Sequence, residues 1–233
     1  MKMVLKGFVN RENEIFDILA KLKRNGINFI LVGGYAVSAF KHRFSVDVDI
    51  VVKEDHLRDI IQVLQKNDFK EYKSKDLKNL YGGRFLSFIK KGELPITVDL
   101  LINSISSSQT EALWSFDLLK ENSVEEEIVG IEKSIKAFIP IKELLIALKI
   151  HSGRLTDIRD VVAICDNTNL NRIVEFSLRG DKTKLREALS KFEKIIKSKT
   201  FSDAFKGIFS LEKLSVNNIR FSEKIIYELK RAI

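Results

Sequence analysis

Short apolar runs of strand length alternate with helical segments between Ile27 and about Ile139, and the pattern then changes. After Pro140 the chain has helical periodicity nearly to its end. Alternation of this kind is typical of α/β or α+β folds, whereas helices alone indicate a separate portion of the molecule. We therefore predict one domain over residues 1–139 and a helical portion over residues 140–233.

Caps, glycines and β-branched runs predict the individual elements. The first helix is expected to begin at an Asn10 cap and to end at Gly26, a favoured residue after a helix C-terminus. Its apolar face is predicted to contain Ile15, Phe16, Leu19 and Leu22. Strands are predicted at 27–32, 46–52, 85–89 and 96–102, with two weaker ones at 124–128 and 136–139. Helices are predicted at 35–40, 55–67, 141–151, 157–165, 170–178, 181–197 and 222–231.

Charge and cysteine content narrow the function classes. The chain has 40 Lys and Arg against 32 Asp and Glu, a net charge of +8 that favours phosphorylated or polyanionic partners. Cys165 is the only cysteine, which excludes an intramolecular disulfide and a cysteine-based zinc site. The sequence has neither an apolar signal segment at its start nor a run of about 18 apolar residues. We expect a cytoplasmic protein with no membrane partner.

Two acids interrupt a strand that is otherwise apolar. Asp47 and Asp49 are two residues apart within 46–52, so their side chains leave the same face of a sheet. Adjacent carboxylates repel each other, and an unpaired buried charge costs several kcal/mol. A divalent cation with oxygen ligands would satisfy both, and Mg²⁺ is typically held by one or two carboxylates together with substrate phosphates. The alternative is a solvated edge strand.

Asp99 is a third acid of the same kind, inside the apolar run 96–102. If that strand lies beside 46–52, Asp99 joins the pair in a three-carboxylate centre for two metal ions. Such a centre activates an attacking oxygen and stabilises the leaving pyrophosphate of an in-line displacement. Asp47 and Asp49 would then bind both ions, and Asp99 would bind one ion and help to deprotonate an acceptor hydroxyl.

Gly33 and Gly34 directly follow a predicted strand and precede a predicted short helix. Glycines at such a place let the backbone approach a phosphate, and the helix N–H groups can receive it. The strand, turn, helix and returning strand should bring these glycines to the same sheet edge as Asp47. A plain turn is the alternative.

These motifs together resemble the nucleotidyltransferase superfamily of the DNA polymerase beta type. The resemblance rests on Gly33-Gly34, on Arg43-x-Ser45-x-Asp47-x-Asp49 and on the later strand acid Asp99. The form of the first two motifs is similar to the abortive-infection (AbiE-type) toxins and to small antibiotic-modifying nucleotidyltransferases. The resemblance implies an α+β fold with a mixed β-sheet and flanking helices, two Mg²⁺ ions, an NTP donor and release of pyrophosphate.

A second match lies in the helical portion, where Lys149 ends an apolar run and Arg154, Asp157 and Asp160 follow. In AbiE-type relatives the corresponding helix packs over the nucleotide, and its Lys reaches the phosphates. Lys149 is therefore predicted to extend its ammonium to water, to pair with Asp157 or to bind a ligand phosphate.

Two residues near the acids are also candidates for donor binding. Arg43 would orient the acid-bearing strand or contact a phosphate, with a bond to a backbone carbonyl as the alternative. Ser38 would help to hold the phosphate, or serve only as a small residue facing the core.

The function predicted from these residues is Mg²⁺-dependent transfer of an NMP from an NTP to a hydroxyl of a small molecule, a protein or an RNA. The chain has no P-loop and no dinucleotide-binding glycine motif, which argues against those enzyme classes. The alternatives are an inactive member that binds a nucleotide or a partner, and a toxin that acts with an antitoxin protein.

Overall fold

The computed structural model describes residues 2–77, 82–209 and 215–233. The chain divides into two compact units. We call Met1–Ile105 with Trp114–Pro140 the sheet unit, and Ser106–Leu113 with Ile141–Ile233 the helical unit.

The elements alternate first and then become helical. The strands are β1 (Phe29–Val32), β2 (Asp47–Val52), β3 (Lys70–Asp76), β4 (Arg84–Lys90), β5 (Ile96–Ile102), β6 (Ser104–Ser106), β7 (Leu113–Ser115), β8 (Ser123–Val129) and β9 (Ser134–Pro140). The helices are α1 (Lys2–Arg24), α2 (Gly33–Ser38), α3 (Leu57–Gln65), α4 (Phe116–Glu121), α5 (Lys142–Ser152), α6 (Leu155–Ile164), α7 (Leu170–Ser177), α8 (Lys182–Ile196), α9 (Lys199–Phe209) and α10 (Val216–Ala232).

Seven strands form one mixed sheet in the order β3-β4-β5-β2-β1-β9-β8. β2 is antiparallel to β1 and parallel to β5, while β4 is antiparallel to both β5 and β3. β9 is parallel to β1 and antiparallel to β8. The α+β class with a mixed sheet, flanking helices and following helices is therefore confirmed. No helix among the described ranges has the length and apolar character needed to cross a membrane.

Within the sheet unit, helix α1 packs against the sheet through the predicted apolar face. Ile15, Phe16, Leu19 and Leu22 are all buried, and Gly26 adopts φ +71° just after the helix ends. The predicted start at Asn10 is wrong, because α1 begins at Lys2. Val9 is buried and the Phe8 ring stacks on Phe44 at 5.5 Å, so packing extends the helix through the proposed cap.

The sequence analysis missed strands β3, β6 and β7 and helices α4 and α9. Every residue of β3 is exposed, so the strand has no alternation of apolar and polar side chains by which it can be recognised. The predicted strands at the sheet centre fared better, because β2 and β5 consist largely of buried apolar residues.

In the helical unit, His151 ties the segment Ser106–Leu113 to the helices. Its Nδ1 lies 2.6 Å from the hydroxyl of Thr110, and its Nε2 lies 2.8 Å from the carbonyl oxygen of Ser177. Burial lowers the pKa of His151 to about 4, so the ring is neutral at physiological pH. The hydroxyl of Ser107 donates to the His151 carbonyl at 2.7 Å.

Candidate metal centre

Three aspartates on neighbouring strands form a carboxylate cluster. Asp47 and Asp49 lie on one face of β2, since side chains alternate along a strand. β5 runs beside β2, and Asp99 is paired with Asp49. One carboxylate oxygen from each of the three residues lies within 4.8 Å of the other two. The structure thus brings together the acids that the sequence analysis selected.

Two serine hydroxyls donate hydrogen bonds to this cluster. Ser87 Oγ lies 2.6 Å from Asp99 Oδ1, and Ser45 Oγ lies 3.2 Å from Asp47 Oδ1. Burial raises the pKa of Asp99, the Ser87 hydrogen bond opposes that rise, and the charge of Asp47 adds to it. The ionised cluster therefore costs free energy, which a bound cation would offset.

Ser87 is a partner that the sequence analysis missed. It is a buried polar residue in the middle of the apolar strand β4, paired with Asp99 across the sheet. A polar side chain that interrupts a buried strand is the same signal that marked Asp99, so this partner could have been found.

Gly33 is the position where the backbone passes closest to the cluster. It adopts φ +66°, which L side chains rarely do, and a Cβ built there would overlap the carboxylate of Asp49. At Gly34 a Cβ would overlap Ser45 and would lie 3.1 Å from an Arg43 guanidinium nitrogen. The two glycines thus allow α2 to begin directly against the strand that carries the acids.

Ser38 and Arg43 hold the connection between α2 and β2. The buried Ser38 hydroxyl lies 2.8 Å from the carbonyl oxygen of Arg43 and 3.2 Å from that of Gly34, and its single proton can be donated to only one at a time. The Arg43 guanidinium donates to the carbonyl oxygen of Phe44 at 3.2 Å. The backbone bond that was the alternative for Arg43 is thus present, and Ser38 is buried as its own alternative expects. Donor binding by these side chains stays a prediction.

The donor set of the cluster fits a hard divalent cation. It offers carboxylate oxygens from three half-buried residues, the ligand type that Mg²⁺ prefers. Two oxygens bound to one Mg²⁺ ion at about 2.1 Å lie no more than about 4.2 Å apart. The oxygens of the cluster lie within 4.8 Å of one another, and side-chain rotation would bring them to the distances that one shared ion or two adjacent ions require.

Lys149 lies in the helical unit and is held by two aspartates. Its ammonium is 2.9 Å from Asp157 Oδ1 and 2.8 Å from Asp160 Oδ2, and the residue is 5% exposed. Burial alone would raise the pKa of Asp157, but the positive charges of Lys149 and Arg154 lower it to about 2. The predicted pair with Asp157 is present, Asp160 is an additional partner, and phosphate binding by Lys149 stays a prediction.

Comparison with known proteins gives structural likeness only. No protein-family model matches the chain, and no curated protein matches its sequence. Among solved structures, a proposed nucleotidyltransferase from H. pylori is 17% identical with a TM-score of 0.49, over 97% of this chain and 98% of that one.

Two antibiotic-modifying enzymes are also similar in structure. The lincosamide antibiotic adenylyltransferase LnuA, with lincomycin bound, is 20% identical with a TM-score of 0.45, over 67% of this chain and 98% of that one. ANT(2")-Ia, in complex with adenylyl-2"-tobramycin, is 11% identical with a TM-score of 0.46, over 77% of this chain and 97% of that one. Nucleotidyltransferases are thus among the solved structures to which this chain is similar.

Proposed function

We propose that this chain is a Mg²⁺-dependent nucleotidyltransferase that moves an NMP from an NTP to an acceptor hydroxyl. The observation that carries the proposal is the convergence of Asp47, Asp49 and Asp99 on one face of two neighbouring strands. A cluster of half-buried carboxylates is costly unless a cation joins it, and three aspartates at this spacing are suited to hold one or two Mg²⁺ ions.

The reaction replaces a phosphoanhydride bond of the NTP with a phosphoester bond to the acceptor. The acceptor oxygen bonds to the α-phosphorus of the NTP, the bond from that phosphorus to the bridging oxygen breaks, and pyrophosphate leaves. Mg²⁺, when bound, supplies the positive charge that polarises the phosphate oxygens. Asp99 is the carboxylate proposed to receive the proton of the acceptor hydroxyl.

The remaining assignments follow the predicted site residues. Gly33 lets the backbone pass against the Asp49 carboxylate, and Gly34 does the same at Ser45. The donor phosphates are proposed to bind at the backbone N–H groups of this glycine turn, beside the acids. Arg43, Ser38 and Lys149 are proposed as further donor-binding residues. We assign the chemistry to the predicted domain, residues 1–139. Cytoplasmic location, a toxin role and an antitoxin partner stay predictions from the sequence.

Radiolabel transfer tests this function. The purified chain is incubated with Mg²⁺, each α-³²P-labelled NTP in turn, and either total cellular RNA or a set of hydroxylated small molecules. We expect label to move to one acceptor class and the Asp49→Asn variant to lose more than about 100-fold in rate, since even the partners of metal ligands are worth about 10–100-fold.

Asp59→Asn is the matched control, because Asp59 is an exposed aspartate of α3. It should retain the wild-type rate. Mg²⁺-dependent NTP binding without transfer to any acceptor would support the inactive, nucleotide-binding alternative. Transfer that Asp49→Asn leaves intact would refute the assignment of this site.

A further inference from the structure

Strand β3 carries three lysines on one face because of a β-bulge. Lys70 pairs with Ile89 and Lys73 pairs with Ser87, although the lysines are three positions apart and their partners only two. The register shift lies between Glu71 and Lys73, so Tyr72 is the extra residue. In a regular strand residues three apart point to opposite faces, but here Lys70, Lys73 and Lys75 share one.

That face is the one that carries the aspartates. Lys73 pairs with Ser87, Ser87 pairs with Asp99, and Asp99 pairs with Asp49, so the four residues form one row across four strands. Directly paired residues of neighbouring strands point to the same side of a sheet. Two strand spacings, about 10 Å, separate the backbone of β3 from that of β5.

A second row runs parallel to the first. Lys70 pairs with Ile89, which pairs with Thr97, which pairs with Asp47. Each acid of β2 therefore stands in a row that ends at a lysine of the edge strand. The Lys73 ammonium is also close enough for its charge to act on Asp99 and oppose the rise of the Asp99 pKa.

An exposed aromatic ring accompanies these charges. Tyr72 is 56% exposed, and the Lys73 ammonium lies 4.8 Å from the centre of its ring. All seven residues of β3 are exposed. Lysines that follow a phosphate backbone beside an aromatic ring on which a base can stack are the recurring elements of single-strand recognition.

We propose that β3 binds the backbone of a single-stranded nucleic acid, with Lys70, Lys73 and Lys75 at its phosphates and Tyr72 stacked on a base. The bound strand then ends with its terminal hydroxyl at the aspartate cluster and serves as acceptor. The acceptor role rests on the proposed function, whereas the binding does not.

The alternative explanation for these lysines is that they keep the edge strand of the sheet from pairing with other chains. Charged side chains on an edge strand discourage pairing with other chains. Protection requires charge but no particular face, whereas the bulge directs all three lysines to the side of the acids. The two explanations differ in their consequences for binding.

Fluorescence anisotropy with a labelled 12-nucleotide oligoribonucleotide tests the proposal, in the absence of NTP and over a series of salt concentrations. The variant combines Lys70→Ala, Lys73→Ala and Lys75→Ala. We expect binding at least tenfold weaker, and a plot of log K against log salt concentration that is less steep by about 2, since each phosphate contact with a single strand contributes about 0.7.

The control combines Lys182→Ala, Lys194→Ala and Lys224→Ala, three exposed lysines of the helical unit, which removes the same charge. This control should retain most of the oligonucleotide affinity and most of the slope of log K against log salt concentration. Tyr72→Ala should weaken binding by about fivefold or more through lost stacking, and Tyr72→Phe should not.

Binding of Mg²⁺-ATP is measured in parallel, so that failure of the two proposals can be told apart. Equal losses of oligonucleotide affinity in the β3 variant and the control would overturn the inference. So would a β3 variant that binds the oligonucleotide normally but loses Mg²⁺-ATP, because the lysines would then serve the donor. Absence of Mg²⁺-dependent binding of all four NTPs in the wild type would refute the proposed function and leave the oligonucleotide result standing.

Discussion

The molecule contains two clusters of aspartates, and their negative charges are stabilised by different kinds of partner. In the sheet unit, Asp47 and Asp99 are half-buried and receive hydrogen bonds from serine hydroxyls. In the helical unit, Asp157 and Asp160 are fully buried around the ammonium of Lys149. The pKa of Asp99 is raised by burial, while that of Asp157 is lowered by its cationic neighbours.

The difference separates a cluster whose charge a lysine already balances from a cluster that needs an added cation. A buried carboxylate with a fixed cation is stabilised in its ionised form and contributes to folding. A carboxylate whose ionised form is disfavoured gains from any added positive charge. We therefore expect a metal ion at the sheet cluster and a requirement for Lys149 at the helical cluster.

The largest loss of folding stability is expected from Lys149→Met. It removes the cation and leaves two buried carboxylates, and breaking a buried pair costs about 3–5 kcal/mol. Urea unfolding measures the loss. The control on the same helix is Lys142→Met, because Lys142 pairs with the exposed Asp166 and should cost less than about 1 kcal/mol. Similar costs for the two variants would contradict the contrast between the clusters.

The next largest loss of folding stability is expected from Gly33→Ala, and Gly26→Ala is its control. Both glycines have positive φ, but a Cβ at Gly26 would meet nothing within 4 Å, whereas one at Gly33 would overlap Asp49. We expect each variant to lose about 1–2 kcal/mol through its backbone conformation. Gly33→Ala should lose a further 1–3 kcal/mol, roughly the cost of overpacking, and should also lose Mg²⁺ binding. Unfolding and calorimetry test this, and retained Mg²⁺ binding would separate Gly33 from the site.

The pH dependence of Asp157→Asn should show a smaller effect. The folded pKa of Asp157 is about 2, against an ordinary value of 3.8, so its contribution is present above pH 4 and is lost as the pH falls towards 2. The contribution is about 2 kcal/mol at neutral pH. The difference in unfolding free energy between wild type and variant should fall by about half at pH 3. A difference that does not change with pH would contradict this account of Asp157.

Asp99→Asn should change the free energy of unfolding least, and it should raise that free energy rather than lower it. Because the folded pKa of Asp99 is raised, its ionisation destabilises the metal-free protein once the pH rises above its ordinary value. The variant should be the more stable protein at pH 7 without metal, and the gain should vanish in acid. Thermal unfolding in EDTA measures it, and a less stable variant at pH 7 would show that Asp99 has a structural partner.

The sequence predicted some parts of this contrast and not others. The spacing of Asp47 and Asp49 set their shared face, because strand geometry is local. Whether β5 lies beside β2 depends on the order of strands in the sheet, so the place of Asp99 remained conditional. The bulge at Tyr72 left no trace in the hydrophobic pattern, because β3 has no buried face.

Lys149 shows the same limit in the helical unit. Its position after an apolar run left three outcomes open, and a pair with Asp157 was one of them. The second partner, Asp160, depends on how α5 and α6 pack, and no local pattern encodes that packing.

Crystals grown with Mn²⁺ and a non-hydrolysable NTP analogue, measured at the manganese absorption edge, test the metal centre most directly. We predict an anomalous peak within about 2.3 Å of carboxylate oxygens of Asp47, Asp49 and Asp99, in the usual range for such ions. An NTP analogue bound with full occupancy and no anomalous peak at these three residues would contradict the proposed centre.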